Sequence, residues 1–274
     1  MLFVPGGANS FAAIESNASG RPSATQGTAV TPAVGSKGAW AQCIASLSAD
    51  TFGLLICINS NAASAASRNS VVDVGIGTAG NEVVLIPDLI AGNASGYSSS
   101  GMWYWFPVTI PAGTRVAVRS QGTVTTAFRV FVQALQKPGN PSQFKKASYV
   151  EAIGMTVPQG TTIPVGTTSE GAWTLLGTTT QDCWHWQVAG QVSSADTSHV
   201  AAAVHMDLAV GDGTNFQILM DSVLLCTSTA EFANMSLAVI PCEMFVPAGS
   251  SIYARAQSSG NADTFFMAAY GAGG

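Results

Sequence analysis

The chain has 274 residues, of which 47% are hydrophobic and only 9% are charged, and its formal net charge at pH 7 is −5. No basic face is available to neutralise phosphates, which argues against nucleic-acid binding, and no apolar run approaches the ~18 residues of a membrane span. An average globular protein has about 25% charged residues, so this surface must consist largely of small and uncharged polar side chains. Such a surface repels its neighbours weakly and favours a protein held in an assembly. The alternative is a β-rich domain that simply has few charges.

The chain begins with a segment of low periodicity. Residues 1–34 are rich in Gly, Ala, Ser, Asn and Pro, which predicts an extended arm, either a flexible tail or a segment that docks on a neighbouring subunit. From Gly35 onward, short runs of β-branched and aromatic residues alternate with turn residues, as is typical of an antiparallel β-sandwich. Glycine and proline recur too often for an amphipathic helix. The predicted strands of this region are residues 38–45, 52–58, 71–76, 82–86 (stopped by Pro87), 102–110, 114–120 and 128–136.

The sequence repeats itself. Residues 106–121, FPVTIPAGTRVAVRSQ, recur as residues 240–257, IPCEMFVPAGSSIYARAQ, with the Pro-Ala-Gly turns and the following arginines both displaced by 136 positions (247 − 111 and 255 − 119). The Gly-Ala-Trp of residues 38–40 recurs at 171–173, and Asp73 recurs as Asp207. Matching anchors in one order across a domain length indicate a tandem duplication.

The predicted fold class is therefore all-β, with two tandem antiparallel β-sandwich (jelly-roll-like) domains from an internal duplication. The predicted boundaries are an arm at 1–34, a first domain at 35–136, a linker at 137–160 and a second domain at 161–274. The linker holds the Lys145-Lys146 pair, which we interpret as solvated.

These motifs resemble those of a group of structural proteins from tailed-bacteriophage virions, built of one or two small β-sandwich domains. The resemblance is carried by the Gly-Ala-Trp opening strand, by Val-Asp-Val-Gly-Ile-Gly followed by Glu-Val-Val-Leu-Ile-Pro at 72–87, and by the Phe-Pro…Ile-Pro-Ala-Gly…Arg strand pair. It covers about residues 27–136 and 160–274. The second half departs from the pattern after Val210, where residues 217–220 lack the Ile-Pro ending. The resemblance implies a scaffold and a place in the virion rather than a chemistry.

Two aromatic clusters are candidate interaction surfaces. Residues 102–106, MWYWF, are apolar at every position, so a strand must send either Trp103 and Trp105 or Tyr104 and Phe106 out of its own core. The outward set contacts the other half or another subunit, unless both faces are buried in one sandwich. The second cluster is Trp184, His185 and Trp186, beside Gln187. Tryptophan next to His and Gln would suit a sugar-stacking surface, whereas a core tryptophan pair is the commoner outcome.

Catalytic and metal-binding patterns are weak. The histidines, His185, His199 and His205, all lie in the second half, and no Gly-x-Ser-x-Gly elbow accompanies them. A carboxylate pair for glycoside hydrolysis could be drawn from Asp73, Glu82 and Asp88, but the recurrence of Asp73 as Asp207 favours a structural role in binding backbone amides. The stretch from Asp212 to Asn215 predicts a turn rather than a calcium loop. The five cysteines contain no C-x-x-C pair, and we expect all of them to be reduced.

We therefore expect a non-enzymatic virion component without a cofactor or metal, most consistent with a capsid decoration, cement or head-fibre protein. Its expected partners are other virion proteins, such as the major capsid protein or neighbouring spike or tail subunits, and further copies of itself. It would be made in the host cytoplasm and located in the virion. The main alternative is a receptor- or carbohydrate-binding module on a tail or head spike, which would bind a host surface glycan. The third class is an enzyme such as a glycan depolymerase.

Overall fold

The structure is a computed structural model, and it describes residues 13–17, 26–59, 69–91, 102–136, 145–192, 203–226, 242–258 and 265–274. All regular secondary structure in these ranges is β-strand, which confirms the predicted all-β class. Within the same ranges, no helix is long and apolar enough to cross a membrane.

The first half of the chain contributes ten strands. They are β1 Ala13–Ser16, β2 Thr28–Val30, β3 Ala33–Val34, β4 Ala41–Ile44, β5 Thr51–Asn59, β6 Ser70–Ile76, β7 Val83–Ala91, β8 Met102–Phe106, β9 Val116–Gly122 and β10 Phe128–Gln136.

The second half also contributes ten strands. They are β11 Tyr149–Ile153, β12 Met155–Thr156, β13 Gln159–Ile163, β14 Val165–Gly166, β15 Thr174–Thr178, β16 Cys183–Val192, β17 Ala203–Gly211, β18 Phe216–Cys226, β19 Ser251–Ser258 and β20 Phe265–Gly273.

Each half forms two five-stranded sheets. Sheet A1 has the order β1-β10-β5-β8 with β2 also on β10, and sheet B1 has the order β3-β9-β6-β7 with β4 also on β9. If β1 and β2 count as one strand and β3 is left out, the eight main strands fall, in chain order, into sheets A1, B1, A1, B1, B1, A1, B1 and A1, as in a jelly roll. The second half forms two corresponding sheets, A2 with the order β11-β20-β13-β12 and β16 on β20, and B2 with the order β14-β19-β17-β18 and β15 on β19. Sheet A2 differs from A1 in containing β12, and most of the residues equivalent to β8 lie outside the described residues.

The strand pairing repeats as well as the sequence. Val30 lies opposite Phe128 in the first half, and Ile163 lies opposite Phe265 in the second. Both halves also contain one short parallel pair, β3 with β9 and β14 with β19. The Pro-Ala-Gly turns are held alike, since Asp50 accepts the Ala112 amide and Asp182 accepts the Ala248 amide, each at 2.8 Å from N to Oδ1.

Alternating side chains build the two cores. In β19 the residues Ile252, Ala254 and Ala256 are fully buried, while their neighbours along the strand are half-buried. β20 departs from this alternation, because all nine of its residues are buried. Its residues Phe265, Met267 and Ala269 belong to the second core, whereas Ala268, Tyr270 and Ala272 pack with the first. The outer face of sheet A2 is therefore covered by the first half.

The segments predicted as an arm and a linker contain strands. β1, β2 and β3 lie within residues 1–34 and pair with β10 and β9, and β11, β12 and the first two residues of β13 lie within residues 137–160. These strands have only two to five residues each, so they lack the long hydrophobic alternation that makes a strand recognisable in sequence. Part of both segments, including residues 1–12 and 137–144, lies outside the described residues.

Pro87 does not end its strand, contrary to the prediction. β7 continues to Ala91 through an irregularity in its pairing with β6, where Asp88 has a φ of 50°. β7 is the edge strand of sheet B1, and a proline is tolerated there because no ladder hydrogen bond is needed on the open side.

Candidate interaction surface

The aromatic strand β8 separates its side chains into two sets. Tyr104 and Phe106 are buried between the sheets of the first half, while Trp103 and Trp105 are half-buried on the outer face of sheet A1. The indole of Trp105 lies directly over Gly53 of β5, where any Cβ would overlap the ring. The outer face of sheet A1 thus carries two large aromatic rings that are not part of the core between the sheets.

The first sandwich has an open side, which we define as the free edges of β7 and β8 together with residues 107–109. Here the edge strands of sheets B1 and A1 lie next to each other, and the Tyr104 hydroxyl donates to the Ile90 carbonyl at 2.7 Å. Tyr270, from the outer face of sheet A2, closes this gap. Its ring meets Tyr104 edge-on at 5.5 Å and Phe106 at 6.3 Å between centroids.

The Tyr270 hydroxyl also satisfies the free edge of β7. It accepts the Ile90 amide at 2.9 Å and donates to the Asp88 carbonyl at 2.9 Å. Because Tyr270 is fully buried, these backbone groups have no access to water at this point and depend on the hydroxyl. Burial raises the pKa of Tyr270 far above its ordinary value, so the hydroxyl keeps its proton and can donate.

The free edge of β8 is satisfied by two side chains of β16. The Trp105 amide donates to Gln187 Oε1 at 3.2 Å, and Gln187 Nε2 donates to the Trp105 carbonyl. His185 Nε2 lies 2.9 Å from the same carbonyl, in contact with the Gln187 amide. A glutamine side chain thereby pairs with a strand edge as another strand would.

His185 is neutral in this environment. It is only 1% exposed and its Nδ1 has no hydrogen-bond partner. Burial lowers its pKa from 6.5 to about 4, although the bond to the Trp105 carbonyl acts in the opposite direction. The ring therefore donates through Nε2 and serves as a packing and hydrogen-bonding group against Phe106, at 6.2 Å between ring centroids.

The two predicted tryptophans of β16 have separate positions. Trp186 is fully buried in the second core, where its Nε1 donates to the Met244 carbonyl at 3.0 Å. Trp184 is 4% exposed and packs with the first core, with the Lys145 ammonium 4.5 Å from the centre of its ring. Sugar stacking by Trp184, His185 and Trp186 does not fit this placement, because buried rings offer no face to a ligand. These residues instead belong to the contact between the halves or to the core.

A charged cluster recurs on the outer faces of sheets B1 and B2. In B1 the buried Asp73 accepts Arg119 Nε at 2.9 Å, Lys37 Nζ at 2.6 Å and the Asp88 amide at 3.0 Å. The Arg119 guanidinium lies 4.5 Å from the centre of the Trp40 ring. The aspartate therefore joins two strands and holds an Arg–Trp stack.

The second half keeps this arrangement with one change of charge. Asp207 accepts Arg255 Nε at 2.8 Å and the Ser222 amide at 2.8 Å, and Arg255 lies 4.4 Å from the centre of the Trp173 ring. Glu170, in the place of Lys37, pairs with Arg255 at 2.5 Å. The predicted structural role of the two aspartates in binding backbone amides is confirmed, and they are not placed as a catalytic pair.

The remaining candidates have structural roles where they are described. Asp212 accepts the amides of Thr214 and Asn215, which confirms the predicted turn and lowers the pKa of Asp212 to about 2. Glu82 pairs with Arg115. His205 is exposed on β17, and His199 lies outside the described residues. Among the described residues, no three His, Cys, Asp or Glu side chains are grouped as metal ligands.

The cysteines whose side chains are described are not joined by disulfides. Cys43, Cys57, Cys183 and Cys242 are free. Burial raises the pKa of Cys43 and of Cys57 to about 12. They therefore remain protonated at neutral pH and pack as small apolar groups.

Sequence reasoning missed Tyr270 and noted Gln187 only as a polar neighbour of the second aromatic cluster, although both residues carry the contact between the halves. Their partners, Ile90 and Trp105, lie 180 and 82 positions away in the chain. One indirect signal existed: residues 265–273, FFMAAYGAG, contain no charged residue on either face. A strand that is apolar on both faces indicates a cover on its outer side.

Comparison with known proteins adds no evidence on the fold class or the function of this chain. No model of a known protein family matches the sequence, and no curated protein sequence is significantly similar to it. Among solved structures, the chain is similar to the tandem CBM22-1–CBM22-2 domains of Paenibacillus barcinonensis Xyn10C, with 11% identity, coverage of 92% of this chain and 84% of that chain, and a TM-score of 0.24.

Two further structures are similar at the same level. The glycosylasparaginase PNGase F from Flavobacterium meningosepticum has 8% identity, coverage of 96% and 94%, and a TM-score of 0.28. The structure of the Gx strain of infectious bursal disease virus has 10% identity, coverage of 96% and 71%, and a TM-score of 0.25. At such identities and TM-scores, neither ligand nor activity carries over to this chain.

Proposed function

We propose that this chain is a non-enzymatic structural component of a bacteriophage virion that acts through protein–protein contacts, as a capsid decoration, cement or head-fibre protein. The observation that supports this most is the contact between the two halves. There the open side of one sandwich is closed by a sheet face of the other, through Tyr270, Gln187 and His185. The fold thus already associates with a copy of its own architecture through aromatic and uncharged polar groups.

The exposed surface suits such contacts. Charged residues are 9% of the chain, so docking a neighbour requires little desolvation of ions. Several large apolar side chains are exposed, each of which would contribute at about 25 cal/mol per Å² if a neighbour covered it. They are Val34, Val83, Val84, Val157, Leu175, Ile218 and Phe245.

We also propose that the chain arose by an internal duplication. The recurring anchors and the recurring strand pairing support an ancestral sandwich that was copied end to end. A duplicated chain presents two related surfaces and can contact two similar neighbours in a symmetric shell. Its partners would be other virion proteins and further copies of itself, with assembly in the host cytoplasm and final location in the virion.

The carbohydrate-binding alternative loses the residues on which it depended, because Trp184 and Trp186 are buried. The aromatic rings that remain half-exposed, Trp103 and Trp105, lie on the outer face of sheet A1. A sheet face that carries two aromatic rings suits a protein neighbour that would cover them on binding.

Quantitative mass spectrometry of gradient-purified particles tests the proposal. We expect the chain to co-purify with the major capsid protein at a fixed stoichiometry after high-salt washing, because apolar contacts are not weakened by salt. Absence of the chain from the particles, or a stoichiometry that falls with each wash, would reject the proposal.

A further inference from the structure

Part of the open side of the first sandwich has a counterpart in the described residues of the second sandwich, and nothing in the described part of the chain closes it. We define this open side as β18 together with residues 242–246. In the first half, β7 contacts β11 and β16 of the second half, and the Ala147 backbone bonds to Pro107 and Thr109. Pro107 and Thr109 correspond, at the offset of 136 positions, to Glu243 and Phe245.

Four positions of the second half are more exposed than their equivalents in the first half. Asp88 is half-buried and Pro107 is buried, whereas their equivalents Ser222 and Glu243 are exposed. Two further pairs follow the same trend: Ile86 is fully buried and Met220 half-buried, and Val108 is fully buried and Met244 half-buried. Phe245 is 60% exposed beside them. The open side of the second sandwich is therefore a surface whose counterpart is covered in the same molecule.

The open side of the first sandwich is covered by the outer face of sheet A2, formed by β11, β20 and β16. A surface of the same kind is therefore the candidate to cover the open side of the second sandwich. The equivalent face is the outer face of sheet A1, formed by β1, β10 and β5, and its register is fixed. Gln133 of β10 takes the place of Tyr270, and Leu55 takes the place of Gln187, because Leu55 lies opposite Gln133 just as Gln187 lies opposite Tyr270.

This face has the chemistry to repeat the contact. Gln133 and Leu55 are half-buried, and Trp103 and Trp105 extend the same face. A glutamine at the position of Tyr270 can accept a strand-edge amide and donate to a strand-edge carbonyl, as Gln187 does for Trp105. In the equivalent contact these backbone groups would belong to residues 222–224 of β18.

We propose that a second copy of this chain docks the outer face of its sheet A1 on the open side of the second sandwich, repeating between chains the contact that joins the halves within one chain. The two surfaces are different, so the association is head-to-tail and forms a closed ring when the rotation between subunits closes. The inference deepens the proposed function by naming a partner and a surface, but it is tested on the purified chain alone.

The experiment measures the mass of the purified chain by light scattering and sedimentation velocity, up to about 100 µM. We expect oligomers that are multiples of the 28.0 kDa monomer. Gln133→Arg and Ser222→Arg should each weaken association at least about thirtyfold, because each places an uncompensated charge in the contact. Combining Gln133→Glu with Ser222→Arg should restore association, because the two substituted side chains then carry opposite charges.

Val83→Arg is the matched control. Val83 is 69% exposed on β7, away from the part of β7 that the second half covers, so this variant should associate like the unmodified chain. Thermal unfolding of every variant establishes that it is folded. A monomer at all concentrations would overturn the inference, and so would folded Gln133→Arg and Ser222→Arg variants that associate normally.

Particle composition separates this inference from the proposed function. A chain that forms head-to-tail oligomers but is absent from particles would leave the contact standing and remove the virion role. If the chain is present in particles but monomeric in solution, and Ser222→Arg is incorporated normally, the virion role stands and the head-to-tail contact is rejected.

Discussion

Tyr270→Phe removes a single oxygen from the contact between the halves, and its cost can be worked from the structure. The hydroxyl bonds to the Ile90 amide and the Asp88 carbonyl, both at 2.9 Å, and Tyr270 is fully buried. The phenyl ring would still fill the gap beside Tyr104, so the packing contribution remains. Leaving a buried backbone group without a partner costs about 1–3 kcal/mol. With two such groups, we expect the free energy of unfolding to fall by roughly 3 kcal/mol.

Urea unfolding followed by tryptophan fluorescence and circular dichroism measures this loss of free energy. In thermal unfolding, the Tm should fall by roughly 6 °C for a chain of this size. Tyr253→Phe serves as the matched control, because Tyr253 is a half-buried tyrosine of β19 that packs edge-on against Phe216 at 5.2 Å. That control should change stability by less than about 0.5 kcal/mol. If Tyr270→Phe were as stable as the control, the hydroxyl would not be satisfying the β7 edge and the account of the contact would be wrong.

Three further predictions address other parts of the structure. Burial lowers the pKa of His185 from 6.5 to about 4 in the folded chain, so the unfolded chain binds a proton at a higher pH than the folded chain does. The free energy of unfolding should therefore fall by roughly 3 kcal/mol as the pH drops from about 6.5 to 4. His185→Gln should flatten this part of a stability–pH profile, and an unchanged slope would contradict the burial of a neutral His185. Asp73→Asn should cost about 2 kcal/mol by removing the charge shared by Arg119 and Lys37, measured by urea unfolding against the exposed Asp221→Asn, and equal stability of the two variants would refute the role of the cluster. Gly53→Ala should displace the Trp105 indole and destabilise the chain by about 1–3 kcal/mol, with a change in tryptophan emission, whereas an unchanged spectrum would show that the ring does not lie over Gly53.

The repeat was the part of the fold most open to prediction. Turn residues have fixed local requirements, so Pro111-Ala112-Gly113 and its counterpart at 247–249 indicated equivalent turns. The structure adds that Asp50 and Asp182 hold these turns. The recurrence of Asp73 as Asp207 likewise pointed to a structural site, because a role that appears in both halves is seldom a single active site.

The site could be predicted only in part, for a physical reason. The alternation in β8 required one set of rings to face outward, but all five residues are apolar and local pattern could not choose between the sets. The choice is decided by long-range contacts: the Tyr104 hydroxyl reaches Ile90, and Trp105 fits over Gly53. Trp184 and Trp186 were placed on a candidate surface because polar neighbours flank them, yet those neighbours, His185 and Gln187, are buried against the backbone of β8.

The short strands at the start of each half escaped prediction because their stability is not local. β1 is held by its pairing with β10, and Glu15 of β1 accepts the amide and hydroxyl of Ser48 at 2.8 and 2.9 Å. Glu151 of β11 does the same with Thr180. Such contacts cross 29 to 33 positions of sequence, and strands of four or five residues carry little periodicity of their own.

A reconstruction of purified particles by electron cryomicroscopy tests the central claim most directly. We expect symmetric density on the particle that fits the two β-sandwiches of each chain. The outer face of sheet A1 of one chain should lie against β18 of the next chain. Particles that infect normally and contain no density for this chain would contradict it.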